Sequence, residues 1–274
     1  MLFLPLKEPI EIPHVHSLFQ KKKVAFLDLD GTVYMGNALI PGAKEFLDYL
    51  KDKGIFFYFL SNNSSRSKAD YIKKLSALGI DTDEERIILS TDGVISFLLE
   101  RNIKDIYVVG TKSMQEMFVE AGFQIESPNP SFVILGFDTE LTYKKLKTAA
   151  LFIQTGVELI ATHPDLVCPT PEGFIPDTGA MLALFEKATN KKTHKIFGKP
   201  NPEMISHILK KHNISPEYVV MIGDRIYTDM ELARRVPCDS ILVLSGEAKR
   251  EDLALIEIQP TLVVESIADL IPHK

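Results

Sequence analysis

The stretch VAFLDLDGTVY, residues 24–34, decides the fold. Four apolar residues, Val24 to Leu27, run into Asp28; Asp30 follows one residue later, then Gly31 and Thr32. A short continuous apolar run that stops at turn residues reads as a strand buried on both faces. Residues two apart in an extended chain point the same way, so this strand aims two carboxylates at one place. Gly31 lets the chain turn sharply behind them. Like charges held together raise the pKa of at least one group or demand a cation.

Outward from this strand the chain alternates. PGAKEFLDYLKDKG reads as a helix opened by Pro41 and closed by Gly54, IFFYFL (55–60) as a buried strand, and SKADYIKKLSALG as a helix ended by Gly79. RIILS, DGVISFLLERN, IYVVG, MQEMFVEAG, FVILGF, LTYKKLKTAALFIQTG and VELIAT continue the pattern. TGAMLALFEKAT, KIFGKP, PEMISHILKKHN, YVVMIGD, TDMELARR and SILVLS complete it. Strands alternating with helices give an α/β fold built on mostly parallel sheets.

Ligands of such sheets bind at the carboxyl ends of the strands. Four strand ends here turn polar directly after an apolar run. They carry Asp28 with Asp30; Ser61, Asn62 and Asn63; Gly198, Lys199 and Pro200; and Gly223 with Asp224. Taken alone, an Asp after a strand is a cap or turn residue. Together the four ends have complementary chemistry. Mg²⁺ takes carboxylate oxygens and keeps waters and phosphate oxygens. A carboxylate attacks phosphorus to form an aspartyl-phosphate. A second carboxyl beside it protonates the leaving oxygen and later deprotonates water. The Ser61 hydroxyl and the N–H groups around Asn62 suit phosphoryl oxygens, and the Lys199 ammonium offsets charge on the nucleophile and phosphoryl group. Asp229 opens the following helix, placed to orient Lys199 or to reach the metal through water.

These residues resemble the motif set of the haloacid dehalogenase (HAD) superfamily. Asp28-Leu29-Asp30-Gly31-Thr32-Val33 matches the first motif, Ser61 the second, Lys199 the third and Gly223-Asp224-Arg225-Ile226-Tyr227-Thr228-Asp229 the fourth. The long segment between Ser61 and Lys199, with SNNSSR, ATHPD and GKPNP, is similar to the nitrophenylphosphatase-like (NagD-like) branch. The resemblance implies a Rossmann-like parallel-sheet core over 24–102 and 178–274 with an inserted α/β cap over 103–177. It implies Asp28 as nucleophile and Mg²⁺ ligand, and Asp30 as acid/base lending Mg²⁺ its backbone carbonyl. Ser61 and Asn62 would bind phosphoryl, Lys199 would steady the intermediate, and Asp224 would be a direct metal ligand supported by Asp229. With an Asp at position 30 it implies a Mg²⁺-dependent phosphatase acting on a small phosphorylated metabolite. A phosphomutase and a non-catalytic phosphate-metabolite sensor are the alternatives. His163, in ATHPD, is a candidate substrate contact from the cap, with Asp165 beside it. A homodimer through the cap is left open.

Composition sets the exclusions. The 274 residues are 45% hydrophobic and 25% charged, an ordinary globular mix. The net charge of −6 gives no basic field for nucleic acid or an anionic membrane, and no apolar run approaches the roughly 20 residues of a membrane helix. Cys168 and Cys238 are too few for a disulfide framework. Residues 1–23, with Pro5, Pro9 and Pro13, read as an extended arm rather than a secretory leader, so a cytoplasmic protein is expected. His14 and His16 read as solvated side chains, as do Lys21, Lys22 and Lys23.

Overall fold

A computed structural model describes residues 17–170 and 172–272. His14, His16 and most of the expected arm lie outside the described residues. In chain order the strands are β1 (Val24–Asp28), β2 (Tyr34–Met35), β3 (Ala38–Leu39), β4 (Phe56–Ser61), β5 (Ile87–Leu89), β6 (Ile106–Val109) and β7 (Phe132–Leu135), then β8 (Glu158–Ala161), β9 (Val167–Thr170), β10 (Gly173–Pro176), β11 (Lys195–Ile196), β12 (Val219–Gly223), β13 (Asp239–Val243) and β14 (Leu262–Val264). The helices are α1 (Ala43–Asp52), α2 (Lys68–Ala77), α3 (Ser90–Glu100), α4 (Lys112–Glu120), α5 (Tyr143–Gln154), α6 (Thr178–Thr189), α7 (Glu203–Lys211) and α8 (Glu231–Arg235). The chain divides into two compact units, whose described residues are 17–58 with 212–272, and 59–211.

In the first unit the strands run β14-β13-β12-β1 in parallel, with Leu27 opposite Ile222 and Ile222 opposite Ile241. Every residue of β1 and β12 is buried, which is why both read as unbroken apolar runs. The Phe56 N–H donates to the Lys23 carbonyl (2.9 Å), so β4 starts beside β1. Helix α1 buries Ala43, Phe46, Leu47 and Leu50, one stripe at helical spacing. Phe19 packs edge-on against Phe46, with ring centres 5.6 Å apart.

The lysine run is not uniformly solvated. Lys22 is 7% exposed, forms an ion pair with Asp239, and donates to the Glu217 carbonyl at 2.7 Å. A buried ammonium needs such partners, and a run of three lysines gives no hint which one has them. Lys23 lies over the Tyr218 ring at 4.6 Å.

In the second unit Phe59–Ser61 of β4 pairs in parallel with β5. A four-stranded parallel sheet follows in the order β11-β8-β7-β6. Its alternate residues feed two cores. Ile106, Val108 and Ile134 pack with Val94 and Phe97 of α3 and Phe118 of α4. Val109, Val133 and Leu135 pack with Ala149 and Ile153 of α5 and Leu182 and Phe185 of α6. The period of two thus serves both faces, and neither face needs polar residues.

The segment 162–176, whose four prolines read as stiffening a loop, contains two strands, Val167–Thr170 and Gly173–Pro176, that pair antiparallel with Ile175 facing Cys168 and Phe174 facing Pro169. Its second strand is exposed throughout. A free two-stranded ribbon tolerates proline at an unpaired edge.

Candidate active site

In the first unit, the parallel register of β1 and β12 brings Asp28 and Gly223-Asp224 out side by side at the carboxyl ends. Asp28, Asp224 and Asp229 are 8%, 2% and 0% exposed, and one carboxylate oxygen from each lies within 4.8 Å of the others. Asp224 Oδ2 accepts the Glu247 N–H at 2.7 Å, and its carbonyl accepts the Ala248 N–H at 3.0 Å. Asp229 Oδ2 accepts the Arg225 N–H at 3.1 Å, closing the π-helical turn Ile226–Met230. Glycines make room. A Cβ on Gly31 would come 2.4 Å from Asp224 Oδ2, one on Gly246 2.0 Å from the same oxygen, and one on Gly223 2.3 Å from Asp229 Cγ.

Asp30 is held apart from this trio. Its Oδ2 accepts the Tyr34 hydroxyl at 3.0 Å, the Gly31 N–H donates to the Tyr34 carbonyl at 2.8 Å, and Gly31 turns with φ +93°. Ser245 Oγ donates to the Gly31 carbonyl at 2.7 Å. Arg225 pairs with Glu247 at 3.0 Å.

The donor set fits a hard divalent cation. It is all oxygen, with no sulfur or imidazole, and oxygen-only sites suit Mg²⁺ or Ca²⁺. Three buried carboxylates this close need positive charge beside them. Only glycine at 31 and 246 lets the backbone pass this close to the Asp224 carboxylate.

In the second unit Ser61 ends β4. Its Oγ lies 2.9 Å from the Tyr71 hydroxyl and accepts the Asn63 N–H at 3.2 Å. Asn63 Oδ1 accepts the Ser65 N–H (3.0 Å) and hydroxyl (2.6 Å), which folds the SNNSS loop on itself. Asn62 is 4% exposed and Lys199 2%. The Asn62 Nδ2 donates to the Lys199 carbonyl and to Asp165 Oδ1, both at 3.0 Å, and its Oδ1 accepts the Lys199 N–H at 2.7 Å. The Asn62 carbonyl accepts the Ser90 hydroxyl at 2.8 Å.

His163 is fully buried. Its Nε2 lies 2.9 Å from Asp177 Oδ1 and its Nδ1 2.9 Å from Thr162 Oγ1, which in turn lies 2.9 Å from Ser64 Oγ. The Phe137 N–H donates to Ser64 Oγ at 2.9 Å. Both ring nitrogens have partners, and the chain continues through the Thr162 and Ser64 hydroxyls to the backbone. The histidine is thus a core hydrogen-bonding link rather than an open loop side chain. Tyr34, Tyr71, Asp177 and Gly246 escaped the sequence reading. Of these only Asp177, the residue before the TGAMLALFEKAT helix, carried a signal, that of an N-cap.

Comparison with known proteins agrees with this arrangement. A family model for haloacid dehalogenase-like hydrolases matches residues 25–124, and a HAD-hydrolase-like model matches 196–270. A dihydroxyacetone phosphatase of Corynebacterium glutamicum is 35% identical, covering 89% of this chain and 88% of its own. The chain belongs to the haloacid dehalogenase-like hydrolases. A 4-nitrophenylphosphatase from Thermotoga maritima superposes with a TM-score of 0.89 at 39% identity, over 92% of this chain and 97% of that one. NagD from E. coli K-12 gives 0.82 at 32% identity, over 92% and 100%. The HAD fold, the NagD-like branch and the phosphatase class expected from the motifs are borne out. Among the described residues no helix is long and apolar enough to cross a membrane.

Proposed function

We propose that this phosphatase hydrolyses a small organic phosphate monoester through an aspartyl-phosphate on Asp28, with Mg²⁺ held by Asp28, Asp224 and the Asp30 carbonyl and supported by Asp229. The observation that carries the reading is the buried trio of carboxylates at the ends of β1 and β12. Mg²⁺ is the general cofactor of HAD phosphatases, and when bound it offsets negative charge on carboxylate and phosphoryl oxygens.

Asp28 Oδ attacks phosphorus, the ester P–O bond breaks, and the Asp30 carboxyl gives its proton to the leaving oxygen. Asp30, now a carboxylate held by Tyr34, takes a proton from water. That water attacks phosphorus, the Asp28–phosphorus bond breaks, and phosphate leaves. The Ser61 hydroxyl and the main-chain N–H groups around Asn62 and Asn63 hold phosphoryl oxygens. The Tyr71 hydroxyl, 2.9 Å from Ser61 Oγ, holds the serine in place beside the loop. Lys199 supplies the fixed positive charge.

The inserted layer within 103–177 is the proposed cap. Its hairpin and the residue before it are the proposed selector of the leaving group, through Phe174 and Leu166, which are 67% and 64% exposed. Relatives named for dihydroxyacetone and for acid sugars point to phosphorylated trioses and sugars as the first substrates to test. Two free cysteines suit a reducing cytoplasm.

The test is phosphate release from a panel of triose, sugar, glycerol, nucleotide and pyridoxal phosphates, beside p-nitrophenyl phosphate, with Mg²⁺ and with EDTA. Asp28→Asn abolishes turnover, because a neutral amide is a poor nucleophile and a weak Mg²⁺ ligand. Phe174→Ala reorders the panel while changing p-nitrophenyl phosphate turnover less. Turnover in Asp28→Asn, or in EDTA, defeats the mechanism.

A further inference from the structure

Asn62 has the wrong hydrogen-bonding partners for a phosphate ligand. A carboxamide has two N–H donors and one carbonyl oxygen. Both donors are used, one on the Lys199 carbonyl and one on Asp165 Oδ1, and the oxygen takes the Lys199 N–H at 2.7 Å. The orientation of the amide is unambiguous. Only its oxygen can meet the Lys199 N–H, and only its nitrogen can meet a carbonyl and a carboxylate. The side chain therefore grips both main-chain groups of one residue, as a neighbouring strand would. It leaves no donor for a phosphoryl oxygen.

The grip is close. Gly198 adopts φ +72°, and a Cβ there would lie 2.7 Å from Asn62 Oδ1, 2.9 Å from His163 Cβ and 2.9 Å from the Thr162 carbonyl. Only glycine lets the backbone at 198–199 press onto the amide. Asp165 anchors the other end. It is 2% exposed, and its own carbonyl accepts the Gly179 N–H at 2.8 Å at the start of α6.

We propose that Asn62 is a positioning residue for Lys199: the carboxamide clamps the lysine's N–H and C=O, and Asp165 fixes the carboxamide. The proposal rests on the reading of Lys199 as the phosphoryl-site cation. It moves Asn62 and Asp165 from the substrate to the support of that cation. A side chain placed about 1 Å away from its working position costs about a hundredfold in rate.

The experiment is a double-mutant cycle read as kcat and KM for p-nitrophenyl phosphate. Asn62→Asp keeps the acceptor for the Lys199 N–H but loses both donors. We expect kcat to fall by about a hundredfold with KM within threefold. In a Lys199→Ala background the same change costs less than threefold, because there is no ammonium left to misplace. Asp165→Ala lowers kcat in the same background-dependent way. Asp165→Asn, whose Oδ1 still accepts from Asn62, recovers most of the loss; this pair decides the matter if Asn62→Asp does not fold. Losses that add in full in the Lys199→Ala background, or a rise in KM at constant kcat, overturn the proposal by making Asn62 a direct ligand. A Lys199→Ala enzyme with more than half of wild-type kcat overturns the lysine reading itself, and this proposal with it.

Discussion

Gly246→Ala puts one methyl group where the proposed metal ligand sits. The added Cβ would stand 2.0 Å from Asp224 Oδ2, 2.4 Å from Cγ and 2.6 Å from Cβ. Ordinary contact begins near 3.4 Å, so the carboxylate must retreat by about 1.4 Å. It has little room, because Gly31 closes in from elsewhere around the same carboxylate and leaves 2.4 Å to a Cβ of its own. Gly246 is not among the positive-φ glycines, so the backbone itself tolerates alanine and the clash is the whole effect. Overpacking of this kind costs about 1–3 kcal/mol, a Tm loss of several degrees for a chain of this size. The functional cost is larger. Mg²⁺ demands oxygens at about 2.0–2.1 Å in near-ideal octahedral geometry, and a shift of about 1.4 Å removes one ligand. We expect kcat at saturating Mg²⁺ to fall about a hundredfold, and half-saturating Mg²⁺ to rise at least about tenfold. The assay is an Mg²⁺ titration of p-nitrophenyl phosphate turnover, with thermal unfolding in parallel. A folded Gly246→Ala enzyme with both values within twofold of wild type would show that Asp224 does not ligate the metal.

Asp30→Asn slows alkyl phosphates by roughly a hundredfold or more and p-nitrophenyl phosphate by less, since a good leaving group needs less protonation; equal losses in side-by-side kcat measurements defeat the acid role. Ser67→Ala breaks the capping box of α2, in which the Asp70 N–H donates to Ser67 Oγ at 3.2 Å and the Ser67 N–H to Asp70 Oδ2 at 2.9 Å, and costs about 1 kcal/mol in urea unfolding. Burial raises the pKa of Asp70, but hydrogen bonds from Ser113 and Ser67 outweigh it and hold the group below its ordinary value. Its stabilising effect is therefore present above the unfolded-state pKa and lost as pH falls through the folded one. Asp70→Asn should flatten that part of the acid-unfolding curve, and an unchanged curve contradicts the assignment. Burial pushes the Cys238 thiol up to about 12, so at pH 8 only about one molecule in ten thousand is thiolate. Iodoacetamide labelling of Cys238 in the native enzyme should be at least about a hundredfold slower than in urea, as followed by peptide mass.

The strands were legible because burial on both faces erases polar positions, and the four polar strand ends stood out against that background. The grouping of Asp28 with Asp224 follows from β1 and β12 being neighbours, which α/β alternation alone does not specify. The hairpin β9–β10 was illegible for a related reason. Its residues are half-buried or exposed on both faces, so no period of two is imposed, and the prolines suggested a loop. His163 read as a candidate substrate contact because sequence spacing does not show that Thr162 and Asp177 hydrogen-bond both ring nitrogens. The role inferred for Asn62 depends on a cross-chain grip on Lys199, 137 positions away, and no local pattern encodes it.

The chain order of the two units sets a timetable for synthesis. Unit two is one continuous stretch and is complete once Lys211 has left the ribosome, whereas unit one pairs β1 with a strand made about two hundred residues later. At roughly 5–20 residues per second, Asp28 waits about 10–40 s for Asp224. Until then β1 lacks its β12 partner, so its apolar run must be shielded by other means. The proposed nucleophile is thus made well before the carboxylates that would complete its candidate metal site.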